Sequence, residues 1–300
     1  MTKRFFAIVN GAAGGGRCRS RFDKFLRRLT DAGFTIDVKL TEGPGHATEL
    51  AHDAYERGER RFLAVGGDGT SYEVVNGLFP RDPADGPVEL GMLPLGTGNS
   101  FLRDFGITTE QDALEALLHG RTRAVDVIRC EHAEGTLHYI NLLGLGFTAR
   151  AGALTNEKFK PLGPLGYVAA VLVSVARLEH PVDPIRVDGA AEIDERPAAF
   201  LCFSNSRYTG GTMMMAPRAD VSDGALDIIR VGALSRAELV AQFPRIFNGT
   251  HVDHPLVEQR TAKRVDFVHE RLQDCMIDGE ILKLSLRSLE VLPGALQVIV

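Results

Sequence analysis

Val65-Gly66-Gly67-Asp68-Gly69-Thr70 decides how this chain is read. The apolar run Phe62-Leu63-Ala64-Val65 leads into it and predicts a buried strand. Glu73-Val74-Val75-Asn76-Gly77-Leu78 follows with the apolar spacing of a helix. Glycines between a strand end and a helix start make a place for an anion. Glycine lets the backbone approach phosphate closely, and the N–H groups that open a helix point at it. Asp68 would repel phosphate unless a cation lies between them, so the same stretch implies Mg²⁺. The plain alternative is a tight structural turn, but a turn alone has no use for the carboxylate.

The pattern recurs on both sides. Phe5–Val9 predicts a first strand, followed by Asn10-Gly11-Ala12-Ala13-Gly14-Gly15-Gly16. A helix with Phe22, Phe25, Leu26 and Leu29 on one face comes next, ended by Gly33. This loop is a second candidate phosphate cradle. It is neither a Walker A loop, which needs Gly-Lys-Ser/Thr, nor a dinucleotide fingerprint. Phe34–Lys39 predicts a second strand, running through Thr41 to a helix over 46–57, where His46 is read as capping or packing. Leu90–Leu93 predicts a strand entering Pro94-Leu95-Gly96-Thr97-Gly98-Asn99-Ser100-Phe101, another strand, glycine loop and helix junction. Asp112–His119 predicts a helix. Strands alternating with helices predict a doubly wound, mostly parallel sheet, with a ligand at the carboxyl ends of its strands.

Beyond Thr122 the pattern changes. Short strands are predicted at Ala124–Cys130, Leu137–Asn141, Ile185–Val187, Ala199–Phe203, Ala225–Ile229, Val265–Phe267, Cys275–Ile277, Leu282–Leu284 and Leu296–Val300. Helical pieces are predicted near Tyr167–Leu178 and Ser235–Phe243. Such a series predicts a mainly antiparallel β-sandwich. The boundary falls near residue 125, giving an α/β domain over 1–125 and a β-rich domain over 126–287.

Five segments together carry a resemblance: Gly66–Thr70 with Glu73–Gly77, Leu93–Asn99, Asn141–Phe147, Asp220–Asp227 and Ile277–Glu280. They resemble the diacylglycerol kinase catalytic-domain family, which includes bacterial soluble lipid kinases, sphingosine kinases and ceramide kinases. The resemblance covers nearly the whole chain. It implies an NAD-kinase-like first domain, a β-sandwich second domain, and residues 288–300 returning to the first. It implies an ATP- and Mg²⁺-dependent lipid kinase acting on diacylglycerol or a related lipid alcohol at a membrane surface. The nucleotide contacts it implies are Asn10, Gly14, Thr41, Gly66, Gly67, Asp68, Gly69, Thr70, Ser71, Thr97 and Asn99. A structural Mg²⁺ is implied at the Asp223 carboxylate and the carbonyls of Asp220 and Ala225. The general base is implied within Asp278-Gly279-Glu280, with Asp278 and Glu280 both open. Both Asp-Gly pairs are also strong turn signals. Two departures stand out: Gly11 where the family usually has proline, and Ser100 where many members have aspartate. A sphingosine- or ceramide-type kinase remains open. An NAD kinase shares the Gly-Gly-Asp-Gly core but is opposed by Leu93–Asn99 and Asp278–Glu280. A non-enzymatic regulator is opposed by the presence of both carboxylates.

Composition agrees with a large buried core: 44% of the 300 residues are apolar, and tryptophan is absent. Net charge is −5, so nothing marks the chain as a nucleic-acid binder. Residues 1–30 carry eight basic side chains against Asp23 alone. Cys18, Cys130, Cys202 and Cys275 are too far apart in sequence for a Cys-x-x-Cys site and suit a reducing cytoplasm. The basic start has only five apolar residues before Asn10, too short for a signal peptide. The longest uncharged run, Pro161–Ala176, is shorter than the ~20 residues of a membrane span. Peripheral docking is then expected through Arg17, Arg19, Arg21, Lys24, Arg27 and Arg28, or through Leu162–Ala176. The oligomeric state is open, a homodimer included.

Overall fold

The computed structural model describes residues 4–96, 98–146, 149, 175 and 177–300. Thr97, Phe147 and almost all of the predicted Tyr167–Leu178 helix lie outside the described residues, as does nearly all of Leu162–Ala176. The chain divides into two compact units: Met1–Val127 with Pro293–Val300, and Ile128–Leu292.

In the first unit, strands β1 (Arg4–Val9), β2 (Thr35–Leu40), β3 (Arg61–Gly66) and β4 (Glu89–Pro94) run parallel in the order β2-β1-β3-β4. The chain end extends this sheet, Gln297 and Val298 pairing parallel with Glu89 and Leu90. Continuous apolar runs form these strands because a parallel sheet is covered on both faces; Phe5–Val9 and Phe62–Val65 are buried throughout. Helices α1 (Cys18–Asp31), α2 (His46–Glu56), α3 (Asp68–Leu78) and α4 (Glu110–His119) fill the connections. The strand order changes direction between β1 and β3. Right-handed crossovers therefore place α1 on one face and α2 with α3 on the other. Helices α2 and α3 pack so closely that a Cβ on Gly77 would lie 2.3 Å from the Thr48 carbonyl oxygen.

Two junctions differ from the sequence expectation. Helix α3 starts at Asp68, behind Gly67, five residues before its apolar spacing begins. Its first turn holds small polar residues whose helical state shows no periodicity. The helix expected after β4 is a 3₁₀ segment, Phe101–Phe105, stopped by Gly106 at φ 75°.

The second unit is built from antiparallel strands. β5 (Thr122–His132) leads the chain into it and pairs with β6 (Gly135–Tyr139). Next come β7 (Leu142–Gly146), β8 (Ile185–Val187), β9 (Phe200–Ser204) and the small ribbon β10 (Tyr208–Thr209) and β11 (Met213–Met214). β12 (Leu226–Val231), β13 (Val257–Ala262), β14 (Arg264–Phe267), β15 (Leu272–Ile277) and β16 (Glu280–Ile299) complete the set. Neighbours run antiparallel in the order β13-β12-β9-β7-β15-β16. Helix α5 (Arg236–Gln242) opens with a Ser235–Glu238 capping box and continues into a 3₁₀ segment, Phe243–Asn248. β13 was not legible in the sequence. Its residues Val-Glu-Gln-Arg-Thr-Ala are polar because it is the edge strand of this order. β16 is one strand of 20 residues where two short ones were expected. It passes Pro293 and bends at Gly294 (φ 58°), whose N–H donates to Asp126 Oδ1 at 2.7 Å. No helix among the described residues is long and apolar enough to cross a membrane.

Candidate functional site

The loops after β1, β3 and β4 meet at the carboxyl edge of the first unit's sheet. The Asn10 N–H donates to the Val65 carbonyl at 2.9 Å, and Asn10 Nδ2 to Thr70 Oγ1 at 3.2 Å. The first glycine loop is thereby tied to the start of α3. Gly14, Gly15 and Gly16 all have positive φ. A Cβ on Gly14 would lie 2.6 Å from the Leu95 carbonyl oxygen, so this loop also abuts the one after β4. Nothing lies within 4 Å of a Cβ built on Gly15 or Gly16. The loops after β3 and β4 touch backbone to backbone: Gly96 N donates to Gly66 O at 2.8 Å, and Asp68 N to Gly98 O at 3.0 Å. A Cβ on Gly96 would sit 2.6 Å from both Gly67 N and Gly67 Cα. Only glycine fits here.

A cleft lined by Gly66, Gly67, Asp68, Ser71 and Asn99 opens beside these contacts. The N–H groups of Thr70 and Ser71 turn back onto Gly67 O, while the Gly69 N–H has no partner among the described residues. An open glycine loop and an unpaired amide at a helix start suit a triphosphate. Thr41 ends β2 on the same edge, its N–H donating to Val9 O at 3.0 Å.

Asp68 has a structural task that its sequence position did not reveal. Both of its oxygens accept the Ser100 N–H, at 3.0 and 3.1 Å. Burial pushes its carboxyl pKa up, against the lowering effect of hydrogen bonds from Ser100 and Phe101. The carboxylate thus caps the 3₁₀ segment after β4 while lining the cleft. Asn99 holds its own turn through Nδ2, to Gly96 O at 3.0 Å and Pro94 O at 3.3 Å.

In the second unit, Asp278-Gly279 forms the two-residue turn between β15 and β16, with Ile277 opposite Glu280. Both turn residues have positive φ, 47° and 92°, as a type I′ hairpin requires. Asp278 is buried, and its carboxylate accepts three backbone N–H groups: Ile140 at 3.1 Å, Asn141 at 3.1 Å and Leu142 at 2.8 Å. Glu280 is exposed. Around Asn141 lies a buried polar network. Ser206 Oγ donates to Asn141 Oδ1, and Asn205 Nδ2 to Ile140 O at 2.9 Å.

Comparison with known proteins completes the picture. Residues 4–130 match the model of the diacylglycerol kinase catalytic domain, and residues 141–300 the YegS C-terminal NAD kinase beta sandwich-like domain. The chain belongs to the diacylglycerol kinase catalytic-domain family. It is 28% identical to a diacylglycerol kinase of Mycobacterium tuberculosis, over 98% of this chain and 94% of that protein. It is 29% identical to a diacylglycerol kinase of Bacillus subtilis, over 93% and 90%. A probable lipid kinase YegS-like protein of an Enterobacter species is 30% identical over 74% and 72%. A crystal structure of a diacylglycerol kinase from Bacillus anthracis superposes with TM-score 0.71 at 21% identity, covering 99% of this chain and 96% of that one. At that identity the superposition shows the fold alone. The fold is the one expected, an α/β unit with a mostly parallel sheet and an antiparallel sandwich-like unit. Membership makes the chain a kinase, and kinases of this family use ATP.

The turn that family resemblance marks for a structural Mg²⁺ makes hydrogen bonds within itself. Asp220 Oδ1 accepts the Ser222 N–H at 3.0 Å and Oγ–H at 2.8 Å, and Asp223 Oδ1 accepts the Ala225 N–H at 3.0 Å. The Asp220 carbonyl accepts the Asp223 N–H at 3.4 Å. Among the described residues no group of three or more His, Cys, Asp or Glu side chains could hold a metal. These contacts are those of a tight turn. Sequence reasoning also missed Glu73. Its carboxylate accepts the N–H groups of Gly45 and Ala47, both at 3.0 Å, tying α3 to the start of α2. A carboxylate three residues into α3 from Thr70 was the available signal.

Proposed function

We propose that this chain is an ATP- and Mg²⁺-dependent lipid kinase that phosphorylates the hydroxyl of diacylglycerol or a related lipid alcohol, with Glu280 as general base. The observation that carries the assignment of the base is the Asp278 carboxylate. Three amides hold it and it is buried, so it is fixed in place and kept from solvent. Glu280, two residues on and exposed, is the carboxylate of that turn able to meet a substrate. The relatives named diacylglycerol kinase support the acceptor class.

Asn10, Gly14, Gly66, Gly67, Gly69, Thr70 and Ser71 would hold the nucleotide phosphates, with Thr41 and Asn99 at the margin of the site. Asp68 would hold Mg²⁺, which takes one or two carboxylates and keeps several waters. An ion held there would supply positive charge against the transferring phosphoryl group. Glu280 accepts the hydroxyl proton as the acceptor oxygen bonds to the γ-phosphorus and the bond to the β-phosphate oxygen breaks, releasing ADP. Asp278 acts through position, fixing the start of β7 and the turn that carries Glu280. Purified protein, labelled ATP and a panel of diacylglycerol, phosphatidylglycerol, sphingosine, ceramide and NAD⁺ test the reading. Transfer to diacylglycerol or another lipid alcohol is expected, and transfer to NAD⁺ alone would overturn it.

A further inference from the structure

Strand β13 ends the order β13-β12-β9-β7-β15-β16 and pairs with β12 alone among the described residues. Its register decides which backbone groups are left over. Gly232 N donates to Leu256 O at 2.8 Å, and these two residues continue the register of Val231 opposite Val257. In an antiparallel pair, opposed residues that exchange bonds alternate with opposed residues that do not. The backbone groups of Glu258, Arg260 and Ala262 therefore point at β12. Those of Val257, Gln259 and Thr261 point away from it. The Val257 N–H is taken by His254 O at 2.8 Å. Gln259 and Thr261 keep both groups along the open edge, with the Val257 carbonyl beside them.

Such edges are commonly blunted by proline, lysine or a bulge. Val257-Glu258-Gln259-Arg260-Thr261-Ala262 has neither proline nor lysine, and its six residues pair with β12 without a break. The edge strand of the first unit, β2, carries Lys39.

The charges on β13 select what fits its edge. Glu258 and Arg260 share one face, with a single residue between them. Arg196 Nη2 lies 2.9 Å from Glu258 Oε2, and Arg260 Nη2 lies 3.0 Å from Asp194 Oδ2. These pairs hold both side chains in place, yet Glu258 stays 40% exposed and Arg260 35%. A second copy meets the edge antiparallel about a two-fold axis, because a closed pair uses one patch twice. With the axis at Gln259, Glu258 faces the partner's Arg260 and Arg260 faces the partner's Glu258. Gln259 then bonds the partner's Gln259, and the Thr261 N–H donates to the carbonyl of the partner's Val257. The neighbouring registers that keep outward groups opposed set Arg260 against the partner's Arg260, or Glu258 against the partner's Glu258. Like charges directly opposite are destabilising. Leu256, 46% exposed, comes opposite the partner's Ala262 in the favoured register. A strand of unrelated sequence would gain no such match from symmetry.

We propose that two copies of this chain pair through β13, antiparallel about a two-fold axis at Gln259, so that one sheet runs through both second units. The nucleotide site and the Asp278 turn take no part, so the dimer is expected whatever the acceptor. Size-exclusion chromatography with light scattering on the whole chain reads the mass. At ~100 µM the wild type is expected at twice 32.6 kDa. Thr261→Pro removes an N–H that β12 does not use, and should raise the dimer Kd at least about tenfold. Val38→Pro is the control on β2. The Thr41 N–H donates to Val9 O, so in β2 the N–H of Val38 is the one turned outward. That variant should leave the dimer unchanged. Glu258→Arg and Arg260→Glu each set like charges opposite one another, so each alone should be monomeric. Mixed in equal amounts they are complementary and should re-form the dimer, which also shows that both are folded. A monomeric wild type, a dimer indifferent to Thr261→Pro, loss of the dimer through Val38→Pro alone, or a mixture that stays monomeric overturns the proposal.

Discussion

Asp278 and Glu280 share one turn, and the structure expects their loss to be felt in different measurements. In Asp278→Asn, the side-chain oxygen can keep the Asn141 and Leu142 N–H groups that Oδ1 now accepts. The new amide nitrogen would face the Ile140 N–H that Oδ2 accepts at 3.1 Å. One charge-assisted bond is lost, a donor faces a donor in a buried site, and the other two bonds weaken to neutral acceptors. The expected cost is about 2–4 kcal/mol. Glu280→Gln changes an exposed side chain, so stability should stay within about 0.5 kcal/mol. Its kcat should fall ~10²–10⁴-fold, because the substitute cannot take the hydroxyl proton. Urea unfolding of both variants, paired with single-turnover transfer from labelled ATP, separates the roles. A Glu280→Gln protein turning over at the wild-type rate would remove Glu280 as the base. A wild-type unfolding midpoint for Asp278→Asn would refute the anchoring role.

Asp68→Ala should abolish turnover and also lower stability by about 1–2 kcal/mol, since the Ser100 amide loses its acceptor; near-normal phosphorylation by the folded variant would sink the assignment. Gly96→Ala places a methyl 2.6 Å from the Gly67 backbone, so the loops must part and the ATP Kd should rise about tenfold, which equilibrium binding checks against an unchanged value. Asp194 is held down to about 2 by hydrogen bonds and charge from Arg196, with Arg230 also close. A depressed carboxyl contributes stability above its unfolded pKa and loses it as pH falls, here from about 4 toward about 2. Arg196 is half exposed, so after screening the contribution should be about 1–2 kcal/mol. Asp194→Asn should lose that amount at pH 7 and none near pH 2, and a pH-independent difference in urea midpoints would contradict this.

Much of the fold was legible because burial on both faces of a parallel sheet demands continuous apolar runs, as Phe5–Val9 and Phe62–Val65 show. The glycine loops were legible because close backbone approach admits no Cβ, as at Gly96 against Gly67. The edge strand Val257–Ala262 was not, since one neighbour and a wetter surface relax the apolar pattern. The start of α3 was not, because caps and small residues carry it.

The carboxylates show where sequence reasoning stops. Asp68, Glu73 and Asp278 each sit in a motif that suggests chemistry, and each spends oxygen lone pairs on amides far along the chain. Asp68 reaches Ser100, 32 residues on, and Asp278 reaches Ile140, 138 residues back. Residue type and spacing say that a carboxylate is present; they do not say which lone pairs remain. In the turn Asp278-Gly279 the distinction has a local cause. A type I′ turn needs φ > 0 at both positions, and aspartate tolerates this better than most residues. The Asp278 carboxylate is buried there and must be met by donors, whereas Glu280, starting the next strand, is left toward solvent. In an Asp-Gly-Glu hairpin of this geometry, the glutamate is therefore the carboxylate that solvent and a substrate can reach.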